Sequence, residues 1–220
     1  MMPLWMAILD LVLAIAVVSA WHFWFIHVNR NRAVRIVQWI CDACAGHGRV
    51  ARVCWVSASR FLVHIHFSSQ RFHEARVCVR LLPREMPLNW LISRCRRQQE
   101  TLTFEADLDC PPAFNLEVNN YRWQRKLPRR TTPDPNRLML VRSGPIVLTT
   151  RGDWQRDLTN MMDGFLASRD CDFQTVSFQR HSPHFSASVP LHSLDVHDRC
   201  SSRLFEALEE LATDASTATF

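Results

Sequence analysis

The chain has 220 residues, of which 47% are hydrophobic, and its 26 basic and 21 acidic side chains give a formal net charge of +5. This composition is ordinary for a globular protein and supplies enough large apolar residues for a core. With only 5 glycines and 11 prolines, a collagen-like or low-complexity chain is excluded.

The first predicted element is an apolar run over residues 4–28. A helix of that length is about 37 Å long, enough to cross a hydrocarbon core of about 30 Å. Trp5 near one end, with Trp21 and Trp24 near the other, would place aromatic rings at both membrane boundaries. A cleaved signal peptide, the competing interpretation, needs a basic leader and a small-residue cleavage site, and a buried helix of a soluble protein is the third. We predict an uncleaved anchor over residues 1–28.

Charged residues inside and after this run give it an orientation. Asp10 within the run either snorkels or is protonated, or it forms a hydrogen bond to a partner helix. No Lys or Arg precedes the run, whereas Arg30, Arg32 and Arg35 follow it. The positive-inside rule therefore predicts a single-pass protein of a bacterial inner membrane, with its N-terminus outside and the rest cytoplasmic. The same three arginines are predicted to contact anionic headgroups.

Residues 29–48 are predicted to continue as a basic amphipathic helix that ends near Gly46 and Gly48. A helical period places one set of side chains on its buried stripe, namely Val34, Val37, Ile40, Cys41 and Cys44. The predicted chain therefore passes without interruption from the membrane into the domain that follows.

Cysteines are frequent, and the spacing of Cys41, Cys44 and His47, with Cys54 as a fourth ligand, would suit zinc as a weak metal candidate or, for Cys41 and Cys44, a redox pair. A reducing cytoplasm and a core of ordinary size argue against a disulfide framework. Cys54 and Cys78 lie in apolar runs, where a free thiol behaves as a small buried hydrophobe. We favour core-facing cysteines and predict no cofactor.

From residue 49 the pattern changes from helical to alternating. It predicts an antiparallel meander of three strands over residues 49–56, 61–67 and 75–82. A helix follows over 88–99, and its predicted buried stripe is Leu88, Leu91, Ile92 and Cys95. Strands over 101–108 and 114–118 complete this first block.

A second block follows an exposed loop over 124–136. It consists of a hairpin over 137–141 and 146–149, a helix over 154–168 and strands over 173–178 and 185–189. A short helix within 201–212 and a disordered tail over 213–220 end the chain. The class is α+β, with helices on one face of an antiparallel sheet within a domain over 49–200. Residues 61–118 and residues 137–189 are each predicted as strand-strand-helix-strand-strand, so an internal ββαββ duplication is possible, although these two blocks share no clear residue pattern.

Charge is divided unevenly along the chain. Residues 30–130 hold 18 basic and 8 acidic side chains, whereas residues 131–220 hold 8 basic and 12 acidic ones. A basic half next to the membrane favours contact with an anionic bilayer surface. Nucleic acid is not an expected partner, because no helix-turn-helix, zinc finger, RRM or KH signature is present.

Candidate chemistry is sparse. His181 and His184 form the densest local cluster, in a predicted turn between strands, and Glu105 and Asp107 share one strand face. His64 and His66 are predicted to be surface histidines, and no nucleophile elbow or phosphate-binding glycine loop is present. No catalytic residue and no small-molecule substrate are therefore assigned.

These observations favour a non-enzymatic protein-interaction or assembly module that is anchored at the inner membrane and binds another protein or itself. A membrane-tethered hydrolase or metal-dependent enzyme using Cys41, Cys44 and His47 or the His181 and His184 turn is the alternative. The second alternative is a domain whose function is to bind anionic lipid.

Overall fold

A computed structural model describes residues 4–68, 72–112, 115–120, 139–143, 146–150, 173–192, 205–206 and 208–209 of the chain. The loop over 124–136, the predicted helix over 154–168 and the tail over 213–220 lie outside the described residues. Among the described residues the elements in chain order are α1 (Leu4–Cys44), β1 (Gly48–Ser57), β2 (Arg60–Phe67), β3 (Phe72–Arg80), α2 (Pro87–Cys95), β4 (Thr101–Leu108), β5 (Leu116–Asn120), β6 (Met139–Ser143), β7 (Ile146–Thr150), β8 (Thr175–Phe178) and β9 (Phe185–Pro190).

Helix α1 joins the predicted anchor and the predicted juxtamembrane helix into one continuous element of 41 residues. It contains no proline or glycine, so nothing in its sequence breaks the helical hydrogen bonds. The helix ends before a short turn in which Gly46 adopts a φ of 104°, a conformation that glycine tolerates best. Its N-terminal part exposes many large apolar side chains, and the helix is long and apolar enough to span a membrane.

The C-terminal half of α1 belongs to the core of the domain. Its buried side chains are Ala33, Ile36, Trp39, Ile40, Ala43 and Cys44. The predicted stripe was therefore wrong at two positions, because Val34 and Cys41 are exposed. Small residues occupy the side that meets the sheet at Ala33 and Ala43, where they allow close approach, whereas the prediction chose the larger side chains.

The described strands form one antiparallel sheet in the order β1-β2-β3-β4-β9-β8-β5-β7-β6. Alternate residues of β2, β3, β4 and β9 are buried, as the period of two along a strand requires. Phe104 lies near the middle of this face, and its ring neighbours are Phe67, Phe72, Phe185 and Phe205. The α+β class with helices on a mainly antiparallel sheet is confirmed.

The two ββαββ blocks pair differently in the sheet. In the first block β3 pairs directly with β4, whereas the corresponding strands of the second block, β7 and β8, are separated by β5, a strand of the first block. The two blocks therefore share the order of their strands along the chain but not the pairing of those strands in the sheet. The described sheet is not built from two copies of the same set of paired strands.

Helix α2 has the opposite sidedness to the one predicted. Leu88 is 76% exposed, Leu91 53% and Ile92 48%, and Cys95 is also exposed. Ser93 is buried in their place. Each large apolar side chain left in water forgoes about 1.5–3 kcal/mol relative to full burial. The exposure of this stripe is therefore unfavourable in water.

The strand directions define two ends of the domain. Strand β1 runs back along α1 after the turn at Gly46, and the Ser59 carbonyl beyond its far end accepts a hydrogen bond from Leu81 N–H. The segment that follows β3 then meets the middle of α1, where Trp21 Nε1–H donates to the Arg84 carbonyl at 3.0 Å. The β1–β2 turn and the connection that carries α2 therefore lie at the end of the domain nearest the apolar N-terminal part of α1, which is the candidate membrane-spanning segment.

Glu100 joins α1 to that connection. Its carboxylate is 2.9 Å from the Arg32 guanidinium and 3.1 Å from that of Arg84, and Leu82 N–H donates to it at 3.4 Å. The Glu100 side chain is only 9% exposed. A carboxylate so placed pairs with two arginines and accepts a hydrogen bond from a backbone N–H, which ties the end of β3, the connection and α1 to one another.

We expect Glu100→Gln to lower the free energy of unfolding by about 1.5–3 kcal/mol, because two arginines lose their counterion in a mostly buried position. Glu105→Gln is the matched control, since Glu105 pairs with an exposed arginine, Arg76, and should cost about 0–1 kcal/mol. Urea unfolding of the full chain in detergent micelles, followed by tryptophan fluorescence, measures both variants. Equal losses in the two variants would contradict the bridging role of Glu100.

Candidate functional site

The face of the sheet opposite α1 carries a shallow polar groove of about 340 Å³ at the end far from the spanning segment. Its lining includes His66, His73, Glu74 and Asp107. Alternation along β2 and β4 places His66 and Asp107 on this face, and an irregularity of β3 between Phe72 and Glu74 leaves the consecutive side chains of His73 and Glu74 both exposed there. Neighbouring positions on the three strands thereby form one surface.

The two carboxylates predicted to share a strand face do so, but each is engaged. Glu105 accepts a 2.6 Å hydrogen bond from Arg76 Nε–H on β3. Asp107 accepts one from the Ser182 hydroxyl at 2.9 Å and one from His184 N–H at 3.3 Å. Asp107 therefore holds the β8–β9 loop against the end of β4.

The predicted histidine cluster is divided by the fold. His184 is half-buried, and its Nδ1 accepts the Leu108 N–H at 3.2 Å, whereas His181 is exposed. The Ser182 hydroxyl donates to the Asp107 carboxylate and not to a histidine, so the described side chains of this turn do not form the serine–histidine pair of a serine hydrolase. His64 and His66 are exposed on the polar face, as predicted.

The weak metal candidates lie near the end of α1, beyond the predicted span over residues 4–28, in dissimilar surroundings. Cys41 is exposed and Cys44 is buried. Burial, with a smaller contribution from the neighbouring Cys41, raises the pKa of the Cys44 thiol to about 12. His47 Nδ1 lies 3.6 Å from a Glu209 carboxylate oxygen. Within the described residues, no group of three or more His, Cys, Asp or Glu side chains is arranged to hold a metal ion.

Other cysteines depart from the predicted core positions. Cys54 and Cys78 are half-buried on the polar face, and Cys95 and Cys110 are exposed, so Cys44 is the clear core thiol among the described residues. Burial raises the pKa of Cys78 as well, and this effect outweighs the opposing one of nearby arginines. Strand alternation decides this placement, because Cys54 and Cys78 fall out of phase with their buried neighbours.

We expect iodoacetamide to modify Cys41 and to leave Cys44 unmodified in the folded chain between pH 7 and pH 9. A thiol with a pKa of about 12 stays protonated throughout that range, and only the thiolate reacts. Peptide mass spectrometry of protein alkylated before and after unfolding measures the difference, and Cys41→Ser should remove nearly all labelling of the folded helix end. Rapid modification of Cys44 before unfolding would contradict its burial.

The predicted membrane-facing residues fall into different environments. Trp5, Asp10 and Trp24 are exposed on the free part of α1, whereas Trp21 is half-buried against the domain. Arg30 and Arg35 are exposed, but Arg32 is bound to Glu100.

Sequence reasoning did not identify the free edge of β1 as a site. This strand pairs with β2 on one side and ends the order of described strands on the other. Val53 and Trp55 lie opposite Val63 and Phe61, so they share the face that α1 covers, yet they are 38% and 45% exposed. The alternating pattern of β1 was visible in the sequence, but its edge position was not.

The chain matches no protein-family model and no curated protein sequence.

Proposed function

We propose that the chain is a non-enzymatic, membrane-anchored interaction module that binds an extended segment of another protein along the free edge of β1. The observation that carries this proposal is an edge strand of ten residues, Gly48–Ser57, with exposed Val53 and Trp55. The polar groove supports the enzymatic alternative less well, because its carboxylates Glu105 and Asp107 already hold an arginine and a loop.

An edge strand offers unpaired N–H and C=O groups to an added strand, and its side chains provide selectivity. Trp55 packs against Phe61 at 5.2 Å between ring centroids while exposing almost half of its surface. A tryptophan held in this way is typical of the residues that contribute most to protein interfaces.

The geometry of α1 favours a different protein over a second copy. The buried side of α1 lies along the sheet, so the plane of the sheet runs roughly parallel to the spanning helix. Antiparallel pairing of two β1 strands needs a two-fold axis perpendicular to the sheet. That axis would reverse one spanning helix, and the two copies could not share a bilayer.

We also propose that the membrane is a bacterial inner membrane, with the domain in the cytoplasm. The support is the asymmetry of charge at the two ends of the predicted span, where Arg30, Arg32 and Arg35 follow and no Lys or Arg precedes.

Site-directed photocrosslinking tests the edge. A benzophenone amino acid at Val53 of the full chain should give an adduct with another protein in the membranes of the source cell, whereas one at Arg80, exposed on the polar face of an interior strand, should not. With the probe at Val53, Trp55→Lys should reduce the adduct about tenfold, since about 1.4 kcal/mol of lost binding energy is a factor of ten.

An adduct of twice the 25.6 kDa chain mass would replace this proposal with self-association. Absence of any adduct, or equal adducts from Val53 and Arg80, would contradict binding at the edge.

Thiol labelling tests the orientation. A membrane-impermeant maleimide should label Cys110, which is exposed at the end of β4, only after cells are permeabilised. A cysteine placed at the other end by Met2→Cys should be labelled in intact cells. The reverse pattern would place the domain outside.

A further inference from the structure

Helix α2 turns its apolar side away from the domain. Leu88, Leu91, Ile92 and Cys95 follow the spacing of one helical stripe and are all exposed, and Met86 just before the helix is 49% exposed. The opposite side, with half-buried Trp90 and buried Ser93, faces the protein. A soluble surface helix shows the reverse arrangement.

The position of α2 relative to the membrane is set by contacts with the spanning helix. Trp21 Nε1–H donates to the Arg84 carbonyl at 3.0 Å, and His22 Nδ1–H donates to the Glu85 carbonyl at 3.1 Å. The Trp90 ring lies 6.2 Å from that of Trp21. Trp21 lies about 10 Å along the helix before the end of the predicted span at residue 28, so α2 begins inside the leaflet, at the depth that interfacial helices reach.

Basic and amide side chains surround the other side of α2. Arg94, Arg97, Gln98 and Gln99 line a groove of about 400 Å³ beside Trp90. An interfacial helix places its apolar side among the acyl chains and its basic side chains at the headgroups. The apolar stripe of α2 and the arginines beside its other side have the same distribution.

We propose that α2 is an interfacial helix that inserts its apolar stripe into the leaflet from which α1 enters the domain. The bilayer is the occupant best supported, because α2 packs through Trp90 beside the aromatic end of α1, where Phe23 and Trp24 are 71% and 70% exposed. The groove between α2 and the domain then lies at the level of the phosphate groups, which its arginines bind.

Lipid photolabelling of the full chain tests the insertion. The protein is placed in nanodiscs of phosphatidylcholine and phosphatidylglycerol that contain an acyl-chain diazirine lipid. Trypsin cleaves after Arg84 and Arg94 and releases residues 85–94 as one peptide, whereas residues 1–30 contain the span and residues 72–76 lie at the far end of the sheet. We expect label in residues 1–30 and 85–94, and at least tenfold less in residues 72–76.

Combined Leu88→Ser, Leu91→Ser and Ile92→Ser substitutions should lower the label in residues 85–94 at least fivefold and leave that in residues 1–30 unchanged. Val53→Ser and Val56→Ser, at exposed positions of β1, form the matched control and should leave both labels unchanged.

Unlabelled residues 85–94 in the wild-type chain, beside labelled residues 1–30, would overturn insertion. So would a two-copy assembly in which crosslinks join α2 to α2 while lipid label is absent from the helix. The measurement uses only the chain and lipid, so its outcome is independent of binding at the β1 edge.

Discussion

The fold depends on one helix that lies in two environments. Helix α1 has no break between Leu4 and Cys44, yet its first half exposes apolar side chains and its second half is buried against a sheet. A continuous helix transmits position along its whole length, so the domain is fixed relative to the spanning segment without a flexible linker. Hydrogen bonds from Trp21 and the Glu100 ion pairs add lateral ties between α1 and the connection after β3.

This constraint gives the two ends of the domain different chemistry. The end near the spanning segment carries the apolar stripe of α2 and its arginines, whereas the far end carries histidines, carboxylates and the loop held by Asp107. Lipid contact at the first end would leave the groove at the far end of the polar face directed away from the bilayer, and the β1 edge is a surface distinct from the α2 stripe even though its last residues lie near the first end. Membrane insertion and protein binding can therefore occur together on separate surfaces.

On the polar face, the chemically suggestive residues have partners that the sequence does not reveal. Glu105 and Asp107 have the side chains that acid–base catalysis uses, and the serine and histidine of the β8–β9 loop lie close by. Their hydrogen bonds go to an arginine, to a loop hydroxyl and to backbone donors. Spacing along the chain could place the two carboxylates on one face, but it could not reveal these partners, which come from β3 and from residues more than 70 positions away.

The sequence by itself determined the long apolar helix, the α+β class, the alternation of β2 and β4 and most element boundaries to within a few residues, because these follow from local hydrophobic periodicity. It placed the Glu105 and Asp107 pair and the exposed His64 and His66 correctly for the same reason. Tertiary structure alone decided the strand order, the edge position of β1, the bridging role of Glu100 and the outward stripe of α2. Periodicity identifies the apolar side of a helix, but whether that side meets a sheet or remains open depends on contacts between segments distant in the chain.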